Sequence, residues 1–239
     1  MAQKKLLRFA QIKEFDNVFE YPQHMQGMWR KHFKNDGSII LELACGRGEY
    51  TVNLSKLHTD QNFIGIDVKG NRMYIGAKKA IDENISNAAF LRTQIEKLPD
   101  YFQESEVDEI WIVFPDPQLR LSKAKKRLTH PRFLRLYKKV LKPDGVVHLK
   151  TDSPDLYLFT KKVADMVGIQ FLADTDDAYN SSINSDELKI KTHYESLDIA
   201  GSKKIHYVKF KLPDSILDID DLLQNKIVHQ AQDVINTSA

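Results

Sequence analysis

Seven short apolar runs recur along the chain, each about one strand long. They are Ser38–Leu43, Asn62–Asp67, Ala88–Thr93, Glu109–Phe114, Gly145–Lys150, Ile169–Asp174 and His206–Leu212. Between most of them apolar residues return every three or four positions. That spacing predicts helices over Glu49–His58, Asn71–Glu83, Ile95–Phe102, Pro131–Leu141 and Pro154–Val167. Strand alternating with helix predicts an α/β fold, a doubly wound, mainly parallel, seven-stranded sheet with helices on both faces. Lys142-Pro143-Asp144-Gly145 reads as a turn between helix and strand, and Asp174–Ser185 as a loop. Residues 1–37 form a polar leader dotted with aromatics, 38–212 the domain, and 213–239 a tail.

The net charge of the 239 residues is only +2, so what matters is where the charge lies. From Gln118 to Lys142 there is no Asp or Glu but ten basic residues: Arg120, Lys123, Lys125, Lys126, Arg127, Arg132, Arg135, Lys138, Lys139 and Lys142. A charge run is often only a solvated face. Ten cations without a balancing acid favour contact with the phosphates of a polyanion. Lys4, Lys5, Arg8, Arg30 and Lys31 can extend that surface, so the leader is expected on or near it. The tail holds Asp214, Asp218, Asp220, Asp221 and Asp233 against Lys226 alone and is not expected to bind nucleic acid. Cys45 is the single cysteine, which excludes an intrachain disulfide and a multi-cysteine metal site. No metal-ligand cluster, signal peptide or membrane-length apolar run stands out, so a soluble cytoplasmic protein without metal is expected.

Leu41-Glu42-Leu43-Ala44-Cys45-Gly46-Arg47-Gly48-Glu49 leaves the first run and opens a helix. Gly46 and Gly48 permit a tight turn and close approach of a ligand. The dinucleotide pattern fails, because Thr51 stands where a third glycine belongs. Asp67, ending the second run, can accept from both hydroxyls of a ribose. Gln94 can meet an adenine edge, and Glu42 suits a cationic or amino-bearing ligand. Together these suit S-adenosylmethionine, which carries a ribose, an amino-acid head and a positive sulfonium but no pyrophosphate. The bland alternative is the helix–strand junction of any doubly wound fold.

Phe114-Pro115-Asp116-Pro117 leaves the fourth run, at the carboxyl edge where open α/β sheets bind ligands. Two prolines restrict the backbone around Asp116; a plain turn with a capping Asp is the alternative. Asp152 follows the fifth run and also suits an N-cap for the helix from Pro154, two compatible roles. Thr192-His193-Tyr194-Glu195 combines hydroxyl, imidazole, phenol and carboxylate and can read a base edge, or simply end an amphipathic helix.

In this order the motifs resemble the tRNA (guanine-N7)-methyltransferase family. The resemblance runs over about residues 18–212 and rests on Glu42 to Gly48, Asp67, Phe114 to Pro117, Arg120 to Leu128, Lys142 to Gly145, Thr151-Asp152 and Thr192 to Glu195. The chain departs from the family's common pattern at Gln118, where bacterial members often have Trp, at Leu119-Arg120-Leu121-Ser122-Lys123, where Pro-Lys-Lys-Arg-His often follows, at Gln94, where Asp or Asn is common, and in a leader without the frequent Arg-rich pattern. The resemblance implies a Rossmann-like class I methyltransferase fold. It implies S-adenosylmethionine contacts at Glu42, Gly46, Gly48, Asp67, Gln94 and Asp116, with Asp116 catalytic. It implies tRNA contacts at Arg120, Lys123, Asp152, Thr192, His193, Tyr194 and Glu195, and a guanine of the variable loop as substrate. Monomer and homodimer both remain open. So do two other functions: a methyltransferase of the same fold with another substrate, and an RNA-binding relative with weakened catalysis.

Overall fold

In the computed structural model the described residues are 2–183, 185–193, 195–197 and 204–227, with residues 2–5 described in backbone only. The strands are β1 (Val18–Glu20), β2 (Ile39–Leu43), β3 (Asn62–Asp67), β4 (Ala88–Arg92), β5 (Val107–Val113), β6 (Leu141–Thr151), β7 (Gln170–Thr175) and β8 (His206–Lys211). The helices are α1 (Ala2–Gln11), α2 (Trp29–Phe33), α3 (Glu49–Leu57), α4 (Gly70–Asp82), α5 (Leu98–Tyr101), α6 (Pro131–Val140), α7 (Pro154–Val167) and α8 (Asp186–Lys189). One sheet runs in the order β1-β4-β3-β2-β5-β6-β8-β7. All pairings are parallel except those of β8 with β6 and with β7.

The sheet is Rossmann-like as expected, but it has eight strands where seven were predicted. The extra strand comes from the leader: Val18, Phe19 and Glu20 pair with Phe90, Leu91 and Arg92. Three residues carry too little period to signal a strand; the open edge of β4 decides it. The predicted turn at Lys142–Gly145 lies inside β6. Val107 pairs with Leu141 and Glu109 already with Val146, so the turn is a bulge in a continuous strand.

Side chains alternate between two cores. Ile110 and Ile112 of β5 face the core shared with α5, α6 and α7, while Trp111 and Val113 face α3. A further cluster packs Met73, Ala77 and Ala80 of α4 against Phe90 and Ile12. β2 pairs with β3 on one side and β5 on the other, so the crossovers part there. That topological switch opens a crevice at the carboxyl ends of the strands.

Candidate active site

The loop after β2 reverses its backbone repeatedly. Ala44, Gly46 and Gly48 have φ of 56°, 55° and 70°. At Gly48 a Cβ would run into the Phe90 ring, so both space and backbone demand glycine. Gly46 N–H donates to Asp67 Oδ2 at 2.9 Å and Lys69 N–H to Oδ1 at 2.8 Å. These bonds orient the Asp67 carboxylate and leave lone pairs on both oxygens.

A cavity of about 320 Å³ opens beside Asp67. Ala44, Asp67, Thr93 and Gln94 wall one side, and Gln118, Lys126, Arg132 and Phe133 also line it. The glycine-loop side and the Phe-Pro-Asp-Pro side therefore border one space. The Thr93 hydroxyl oxygen on this wall is buried and makes no hydrogen bond among the described residues.

Of the expected cofactor residues, Asp67 and Gln94 line the cavity, and Gly46 reaches it through Asp67. Glu42 is not on its wall. It is buried and accepts from Thr51 N–H at 2.7 Å and from the Thr51 hydroxyl. Burial pushes its carboxyl up to about 8, the Thr51 bonds opposing. Asp116 is exposed on the turn next to the cavity and accepts from Gln118 N–H at 3.0 Å. Phe114 and Gln118 bracket it with φ of 46° and 48°. Arg127 supports this turn: its side chain lies under the loop, donating to Gln118 O at 3.2 and 3.3 Å over the Phe159 ring. Counted at first among phosphate-binding cations, it is 5 % exposed and serves the turn.

The basic run divides in the same way. Arg132 pairs with Glu96 at 3.0 Å, and Lys142 with Asp108. Arg135 pairs with Asp220 at 3.0 Å and Asp218 at 3.5 Å, Lys125 with Asp221 at 3.4 Å, and Lys138 with Asp214 at 3.9 Å. The acidic tail thus folds back on α6. Arg120, Lys123, Lys126 and Lys139 are exposed and pair with no acid among the described residues.

Asp152 is half-buried at the end of β6. The N-cap of α7 is Ser153, whose hydroxyl accepts from Leu156 N–H at 3.3 Å, so capping does not use Asp152. The Thr192 hydroxyl accepts from Glu195 N–H at 3.1 Å. Glu195 Oε2 accepts from Lys150 at 3.1 Å and Oε1 from Tyr179. His193 is half-buried, and Tyr194 lies outside the described residues. Sequence reasoning passed over Lys150 and Thr93. The signal for Lys150 was legible: a lysine ends an otherwise apolar run in a strand buried on both faces.

A second cavity, about 330 Å³, is walled by His58, Glu109, Trp111, His148 and Glu187. Its acids are already matched: His58 meets Glu187 at 2.8 Å and His148 meets Glu109 at 2.9 Å. No group of three or more His, Cys, Asp or Glu able to hold a metal occurs among the described residues. No helix among them is long and apolar enough to cross a membrane.

A protein-family model described as "Putative methyltransferase" matches residues 36–207. The tRNA (guanine-N(7)-)-methyltransferase of Bacteroides thetaiotaomicron is 44% identical over 224 residues, covering 89% of this chain and 87% of that one. That of Porphyromonas gingivalis is 47% identical, covering 84% and 86%. The chain belongs to the tRNA (guanine-N(7)-)-methyltransferase family. Among solved structures, the 16S rRNA methyltransferase KamB aligns with a TM-score of 0.60 at 13% identity, covering 78% of this chain and 94% of that one. A likeness at that identity speaks for the fold alone. In this family member, Glu42 to Gly48, Asp67, Phe114 to Pro117 and Thr151-Asp152 stand at the carboxyl ends of β2, β3, β5 and β6, while Lys142 to Gly145 lies at the opposite end of β6.

Proposed function

We propose that this protein transfers the methyl group of S-adenosylmethionine to N7 of a guanine in the variable loop of tRNA, in the cytoplasm. The observation that carries the reading is the single cavity bordered by both Asp67 and Gln118, in a chain of this family. The residues present fit the cofactor. Asp67 keeps lone pairs for a ribose, Gln94 offers an amide to a base edge, and the orphaned Thr93 hydroxyl lacks a partner that a polar ligand supplies.

Bound S-adenosylmethionine would supply an electrophilic methyl on a positive sulfonium: the N7 lone pair would bond to the methyl carbon, sulfur would keep the electron pair of the broken carbon–sulfur bond, and the purine would take the positive charge. N7 carries no proton, so no general base is needed. The chain's contribution is alignment and field. Asp116, held by Gln118 N–H between two prolines, places a carboxylate where the purine turns cationic. Asp152 and His193 serve as base-edge contacts. Arg120, Lys123 and Lys126 meet the phosphates.

The test is nucleoside analysis of tRNA before and after incubation with protein and cofactor. 7-Methylguanosine should appear, and should be missing from tRNA lacking the variable-loop guanine. Methylation of another nucleoside points to a different methyltransferase; cofactor binding without any product points to an RNA-binding relative.

A further inference from the structure

We propose that Lys150 is a positioning residue for the substrate, the buried post to which the segment carrying Thr192, His193 and Glu195 is tied. The proposal rests on the tRNA reading above for its kinetic consequence, but not for its structural one.

Lys150 is the penultimate residue of β6, two residues before Asp152, and is 0 % exposed. Its three N–H donors face four acceptors within hydrogen-bond distance: Leu188 O at 2.8 Å, Ile190 O at 2.9 Å, the Tyr179 hydroxyl at 3.1 Å and Glu195 Oε2 at 3.1 Å. The rings of Tyr50, Phe114 and Tyr179 surround it at 5.4, 5.7 and 5.3 Å. Such a site recognises a cation by its ring faces and its acceptors together.

Three functional segments meet on this one group. Phe114 begins the turn that bears Asp116, and its N–H donates to Lys150 O at 2.9 Å. Asp152 follows on the same strand. The third segment, 188–195, shows little apolar burial: among its described hydrophobic residues Leu188 alone is fully buried. A short segment without a core needs polar anchors to hold one conformation. Lys150 takes two of its carbonyls and its carboxylate at once.

The anchor changes the meaning of Thr192 and Glu195. The Thr192 hydroxyl accepts from Glu195 N–H and caps the short turn that follows. Both Glu195 oxygens are engaged, by Lys150 and by Tyr179, which in turn accepts from Lys150. The pair therefore folds the segment onto its post and presents His193, and Glu195 acts through Lys150 instead of reading a base. Removing one partner of a buried ion pair is costly, because the other is left without its counter-charge.

Lys150→Met tests this, since it keeps the stem and removes the ammonium. Hydrogen exchange should accelerate over 186–193 and remain as in wild type over β2 to β4. S-Adenosylmethionine affinity should change by less than about threefold, while KM for tRNA rises about ten- to a hundredfold. Exchange and tRNA KM both as in wild type would overturn the proposal, as would equal loss of protection across the whole sheet. Should Lys150→Met fail to fold, Tyr179→Phe decides: it removes one bond to Glu195 and should raise exchange over 186–193 alone. Unchanged exchange there sinks the anchor. A wild-type protein that methylates no tRNA defeats the proposed function, while the exchange result still judges the anchor.

Discussion

Glu42 is 4 % exposed, and its carboxyl is pushed up to about 8 by burial. The folded protein therefore keeps a proton on Glu42 that the unfolded chain, titrating near 4.5, has already released. Its stabilising contribution is full below about 4.5 and is lost as pH rises through about 8. Wild type should lose roughly 2 to 3 kcal/mol relative to Glu42→Gln between pH 6 and pH 9. Thermal melts of both across that window measure it, and a gap independent of pH would show that Glu42 is ionised throughout. Asp116 makes the opposite case. It is exposed, and among the described residues only the Gln118 N–H bonds to its carboxylate, so replacing it should barely affect folding. Asp116→Ala should cut methyl transfer about a hundredfold or more, while cofactor affinity moves only a few-fold. Single-turnover kinetics beside a cofactor titration separates the two effects.

At the scale of elements, α6 and the stretch before it are the instructive case. The sequence presents ten cations without an intervening acid; Arg132 and Lys142 pair with Glu96 and Asp108, and folding sorts the other eight into three kinds. Arg127 is buried beneath the Asp116 turn. Lys125, Arg135 and Lys138 are matched by tail acids. Arg120, Lys123, Lys126 and Lys139 face solvent without an acid partner among the described residues. Each phosphate contact contributes about one unit to the slope of log affinity against log salt. Neutralising Arg120, Lys123 and Lys126 together should flatten the slope for tRNA by about two to three units. The same treatment of Lys125 and Lys138 should flatten it by less than one, since their charge is already partly cancelled. Binding titrations at several salt concentrations compare the two sets, and equal slopes would refute the sorting.

The whole molecule is closed by its ends. The leader adds β1 to the free edge of β4 and lays α1 on α4. The tail becomes helical over 220–227 and buries Leu223 and Ile227 in the main core, beside the ion pairs with α6. Leu223 is wholly buried, so Leu223→Ala should cost about 2–5 kcal/mol of global stability. Denaturant unfolding reads this directly, and a wild-type midpoint would mean that the tail is only an appendage. The tail's acids and leucines thus act together, apolar side chains fixing where the negative charge lies.

The residue pattern alone was enough for the sheet-and-helix alternation, the glycine loop, Asp67 and the Phe114–Pro117 turn. Each of these depends on local spacing, on backbone conformations open to few residue types, or on a chain reversal at a strand end. Asn62–Asp67 and Pro154–Val167 emerge with the very bounds their periodicity predicts. The partners of charged groups were not legible, because ion pairs join residues far apart in sequence. Lys125 and Asp221 stand 96 positions apart, and Lys150 and Glu195 stand 45 apart. β1 escaped notice for a like reason, since its three residues acquire a strand's geometry only from the β4 edge beside them. The sequence by itself determined which chemistry the chain carries and at which strand ends it stands. Tertiary structure alone decided which charges remain available for that chemistry, because only packing brings a counter-charge within reach or takes it away.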